Sequence, residues 1–217
     1  DMLKGYLLAN ITDPDDRQHA SQIWRQRVAA LQELGKEEDA DAIKAWLRSQ
    51  HAESIRERKK GAHPRDFDLI GTEFHRWVRE HEESLGLTKS SEFSRFIRED
   101  YSFYTSWYER IRKASIDLTP GLEEIFFNAQ NNFTLQYTLL LAPLRLGEPE
   151  HELLRKLRIV SKYLDSLIAR RIWNWRAIDY SSVQYSMFLV VRDIRGKSSN
   201  ELAELLSKRL LAEQDTF

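Results

Sequence analysis

Apolar residues recur at helical spacing through almost the whole chain, and the longest unbroken example runs over residues 153–175. At about 100° per residue, Leu153, Leu157, Val160, Leu164, Leu167 and Ile168 fall in one sector, and Arg155, Arg158, Lys162 and Arg176 fall on the opposite side. The pattern predicts a central helix with a core face and a basic face. Before it, the same periodicity gives a helix over DMLKGYLLANI with Asp1 in a capping position, then a second with Asp13 as N-cap and Pro14 at the first helical position. Ala20, Ile23, Trp24, Val28 and Leu31 form the inward stripe of that second helix, which stops near Gly35. A third over residues 37–50 turns Ala40, Ile43, Trp46 and Leu47 inward. A fourth from Asp66 to about Leu85 does so with Phe67, Ile70, Phe74, Trp77 and Val78, and a fifth over residues 91–115 with Phe93, Ile97, Tyr104, Trp107, Tyr108 and Ile111.

Beyond these, Thr119-Pro120 reads as the start of a sixth helix with Pro at its first position, and LQYTLLLAPL as an apolar helix ended around Pro143. Residues 181–194 form a further helix, with a strand as the alternative for SMFLVV, and Ser198 with Glu201 gives a capping box for the last. The expectation is an all-α, multi-helix bundle of about ten helices. Residues 51–65, with five bases, one Gly and one Pro, read as a mobile connection that is either solvated or in contact with phosphate.

Composition supports long helices, since only 8 Gly and 5 Pro punctuate 217 residues. That length suits one helical domain spanning residues 1–217, with two small ones as the other arrangement. No apolar run is long enough to cross a bilayer, which predicts a protein without a membrane partner. The absence of cysteine excludes thiolate chemistry and fits a cytoplasmic location. The formal charge of −1 hides an asymmetry. Residues 153–197 hold ten Lys and Arg against three acids, making a basic part that faces either an anionic partner or the acidic part, residues 1–152.

No arrangement of residues amounts to a catalytic or metal site. Glu148-Pro149-Glu150-His151 has the spacing of a di-metal carboxylate motif but contains a proline, and His81-Glu82 lacks the second histidine of a zincin. Arg76 and His81 are spaced as the acid/base pair of a helical, HEPN-like RNase would be. Asp100 lies in the middle of the fifth helix's apolar face, and the phase of the central helix turns Arg171 inward. Asp100 and Arg171, or Arg171 with another acid, are expected to form a structural ion pair. The end of the basic helix, Trp173-Asn174-Trp175-Arg176, sets aromatic planes beside a guanidinium, as stacking on bases requires, although Trp also fills cores and Arg170 and Arg171 also cap helices. The candidate nucleic-acid contacts are Arg155, Arg158, Lys162, Arg170 and Arg176.

The order of these features resembles a known family. Asp1-Met2-Leu3-Lys4 with Leu7 and Leu8, the Trp24 helix, the aromatic helix ending near Tyr108, and Tyr163-Leu164 with Arg170-Arg171 look like the helical region of GmrSD-type restriction endonucleases, proteins with a ParB-like domain of unknown function 262. The resemblance implies a non-catalytic scaffold or coupling module in an NTP-dependent, modification-dependent DNA restriction protein of bacterial phage defence. It would contact DNA and follow a ParB-like nucleotide-handling domain. NTP and divalent metal are implied for the parent protein, and the partners would be its flanking nucleotide-handling and nuclease domains. Neither the Asp-Gly-Gln-Arg signature nor a His-Asn-His motif occurs here, so no catalytic residue carries over. The alternative is a helical protein-interaction or oligomerisation domain.

Overall fold

Side-chain caps and left-handed turns decide where the helices of this chain begin and end. In the computed structural model residues 2–57 and 59–212 are described; the expected Asp1 cap and Arg58 lie outside them. The fold is all-α, with no strand among the described residues. In order come α1 (Met2–Ala9), α2 (Pro14–Gln32), α3 (Glu38–His51), α4 (Asp66–Glu80), α5 (residues 90–116), α6 (Glu123–Gln130), α7 (Gln136–Leu141), α8 (Glu150–Trp173), α9 (Tyr180–Ile194) and α10 (Ser199–Ala212). None of the described helices is long and apolar enough to cross a membrane. The chain divides into two compact units, Asp1–Glu109 and Arg110–Phe217, described in turn below.

In the first unit Asp13 caps α2, its Oδ1 accepting from Asp16 N at 2.8 Å, with Pro14 next to it as expected. The core is aromatic: Trp24 stacks on Tyr101 at 4.2 Å, and Trp46 on Tyr104 at 5.7 Å. Arg27 closes one side through Glu109 at 2.7 Å, and Tyr108 donates its hydroxyl to Glu38 at 2.8 Å. Within α5 the segment Phe96–Tyr101 is a π-helical turn. Phe96, Ile97 and Tyr101 on this turn are all buried. Asp100 rides on that turn half-buried, where desolvation pushes its carboxyl up against the opposing pull of Arg95. Helix α4 ends at Glu80, short of Leu85, because the chain enters a further turn closed by Gly86 at φ 67°.

In the second unit α8 buries Leu153, Leu157, Val160, Leu164, Leu167 and Ile168, the predicted face, and packs mainly on α6 and α10. Pro120 does not open α6. Thr119 to Leu122 form a turn, with Leu122 N donating to Thr119 O at 3.0 Å and Gly121 at φ 79°, a conformation that suits glycine and delays the helix to Glu123. The apolar run SMFLVV is helical, inside α9, whose N-cap is Asp179. The Ser198–Glu201 capping box forms, Ser198 N donating to Glu201 Oε2 at 2.9 Å and Glu201 N to Ser198 Oγ at 3.4 Å. Lys156 is fully buried. Its ammonium donates to Glu148 at 2.5 and 2.7 Å and to Pro143 O at 2.9 Å, and so fastens the turn before α8 to the helix.

Candidate functional site

Two tryptophans at the end of α8 stand almost wholly in solvent, Trp173 at 85% and Trp175 at 96% exposure. A local hydrogen-bond scheme explains how the chain holds them there. Asn174 takes the cap position, its backbone N–H and its amide both donating to Arg170 O at 3.0 and 2.9 Å. Trp175 N then donates to Ile172 O at 3.1 Å and Arg176 N to Arg171 O at 2.8 Å, the paired bonds of a Schellman motif. That motif needs a left-handed residue at its turn, usually glycine; here it is Trp175, at φ 55°. For an L-residue this conformation costs roughly 1–2 kcal/mol.

The rest of the loop is fastened by charge-assisted bonds. Arg171 folds back on its own chain, donating to Ala177 O from Nη2 at 2.6 Å and from Nε at 3.0 Å. Arg170 reaches Leu210 O in α10 at 2.9 Å. On the far side Asp179 accepts from Ser181 Oγ and Ser182 Oγ, each at 2.6 Å, and from Ser182 N at 3.1 Å. These donors hold its carboxyl down at about 2, so it stays ionised and occupied. Ile172, which precedes Trp173 in the chain, and Tyr180, at the start of α9, are also partly exposed.

The candidate bases divide unequally. Arg155 is tied to Asn200 at 3.0 Å, Arg158 to Gly121 O at 3.0 Å, and Lys162 lies 4.0 Å from Glu124. With Arg170 on Leu210 O, three of the five are hydrogen-bonded to their own chain, Lys162 stands exposed at the limit of ion-pair distance, and Arg176 is the one without a side-chain partner among the described residues. Asp100 and Arg171 belong to different units, and each has surroundings of its own as given above. On α4, Arg76 is held by Glu80 at 2.8 Å and Glu73 at 3.5 Å, while His81 Nδ1 contacts Trp77 O at 2.8 Å. Glu148, half of the rejected metal motif, is engaged by Lys156, and no cluster of three metal-ligating side chains occurs among the described residues.

Periodicity pointed to part of this site. Trp173 falls on the outward phase of α8, but Trp175 falls on the inward one and is exposed because the helix has already ended. Lys156, by contrast, lies at about 60° from Leu153 on the side away from Ile168, just beyond the edge of the predicted face, so the wheel alone did not settle its burial. Comparisons with known protein families, with curated proteins and with solved structures find no match to this chain, which leaves the geometry of the α8–α9 loop as the ground for a functional reading.

Proposed function

We propose that this chain is a non-catalytic helical module that contacts DNA through the α8–α9 loop, Trp173 and Trp175 stacking on unpaired bases and Arg176 meeting phosphate. One observation carries the proposal: two indoles held outside any core by a loop that tolerates left-handed backbone at Trp175. Leaving each ring in water forgoes on the order of 2 kcal/mol. Stacking a base on such a ring returns about 1–3 kcal/mol, and does so for any sequence. The wider frame is the resemblance to GmrSD-type restriction proteins. In it this module couples a ParB-like nucleotide-handling domain to a nuclease domain in phage defence, and NTP and divalent metal act in those flanking domains. The separate partners of Arg76 on α4 and of His81 just after it favour binding over phosphodiester cleavage.

Fluorescence anisotropy with a labelled single strand and its duplex tests the proposal. Single-stranded DNA is expected to bind more tightly, and a combined Trp173→Ala and Trp175→Ala variant to lose about tenfold or more in affinity for it. No binding at low salt, or equal binding by the variant, overturns the proposal. Ile172 and Tyr180 favour a second reading, a protein-docking surface in which the same tryptophans are the anchors. That reading gains if DNA binding is absent and light scattering finds self-association that the double variant abolishes.

A further inference from the structure

Elsewhere on the molecule, the chain between α3 and α4 is basic and is held at its base by two carboxylates. Asp66 Oδ2 accepts from Glu53 N at 3.1 Å, Ser54 N at 3.0 Å and Ser54 Oγ at 2.8 Å. Asp68 Oδ2 accepts from both arms of the loop, Arg56 N at 2.8 Å and Arg65 N at 3.1 Å. Phe67 N donates to Ser54 O at 3.0 Å, and Asp66 is itself steadied by Trp77 Nε1 at 3.1 Å. Hydrogen bonds from Ser54, Trp77 and Glu53 hold the Asp66 carboxyl below its ordinary range despite partial burial, so the clasp persists as the pH falls below neutrality. At the tip Ala62 N donates to Lys59 O at 3.2 Å, with Gly61 at φ 81° making the turn.

The clasp uses backbone N–H groups and leaves the cationic heads free. Arg56, Lys60 and Arg65 are exposed and have no carboxylate in ion-pair contact among the described residues, whereas Lys59 pairs with Glu57 at 2.9 Å. That contrasts with α8, where Arg155, Arg158 and Arg170 are hydrogen-bonded to their own chain. The tip also carries no large apolar side chain, so it lacks the anchors of a protein-docking surface. Exposed cations on a loop clasped at its base suit the repeating charges of a polyanion.

We infer that Arg56, Lys60 and Arg65 form a second nucleic-acid contact, in the first unit, that tracks the phosphate backbone without reading bases. This inference rests on the proposed DNA contact but uses residues independent of the tryptophan loop. The test is anisotropy of the full chain across a salt series, with single-stranded and duplex DNA. It compares wild type, an Arg56→Ala, Lys60→Ala and Arg65→Ala triple variant, and the Trp173→Ala, Trp175→Ala variant, each checked for helical circular dichroism. The triple variant is expected to weaken both DNA forms alike and to flatten the log–log salt dependence for the single strand by about 2, at roughly 0.7 per phosphate contact. The tryptophan variant is expected to lose single-strand affinity while keeping the slope. An unchanged slope in the triple variant, with wild type binding, overturns the loop assignment alone. Failure of wild type to bind either form at low salt overturns both assignments.

Discussion

Trp175 is an L-residue doing the work of a glycine. The Schellman geometry at the end of α8 demands its left-handed φ of 55°, and no burial of the side chain repays the strain. Trp175→Gly is therefore expected to raise the unfolding free energy by about 1 kcal/mol while weakening single-strand binding, a gain in stability at the expense of function. Thermal melting and anisotropy on the same sample check both halves. Lys156 is the converse, a charge the fold depends on. Lys156→Met leaves Glu148 largely buried without its cation and Pro143 O without its donor, which should cost about 3 kcal/mol. Adding Glu148→Gln should recover part of that in urea melts, because the penalty comes from the stranded charge and not from lost packing.

At the scale of elements, the π-helical turn in α5 is where packing overrides local preference. It brings Phe96, Ile97 and Tyr101 into one aromatic core and leaves Asp100 half-buried beside Glu99 and Arg95. Burial raises the carboxyl above its ordinary 3.8, so the folded chain holds this proton more tightly than the unfolded one. Stability from this group is thus greatest at low pH and falls as pH rises from about 3.8 through the raised folded value. Asp100→Asn removes the cost. The melting temperature of the variant is expected to exceed that of wild type at neutral pH and to converge with it below the unfolded value, and a pH series of thermal melts reads the difference.

For the whole molecule, net charge says little about partners. A chain of formal charge −1 has no global field to draw it to DNA, so any affinity must come from local arrangements, and salt dependence becomes the informative measurement. The basic stretch that looked most suited to phosphate, along α8, is largely internal clamping: Arg158 on Gly121 O, Arg155 on Asn200, Arg170 on Leu210 O. Among the described residues, exposed cations without an ion-pair partner include Arg176 and, on the loop before α4, Arg56, Lys60 and Arg65. In both places backbone hydrogen bonds hold the ends of the segment that carries them.

The sequence by itself determined the all-α class, the inward face of α8, and the caps at Asp13 and Ser198. Each depends on interactions within a few residues, so spacing alone suffices to reveal it. It also placed the Trp and Arg residues of the candidate site together at one helix end. Only the tertiary structure decided the π turn around Asp100, the division into two compact units and the exposure of Trp175. It alone showed which bases are already engaged. Those outcomes depend on partners distant in sequence, such as Asn200 for Arg155 and Gly121 for Arg158, and on where a helix stops, which periodicity extrapolates past without sensing the left-handed residue that ends it.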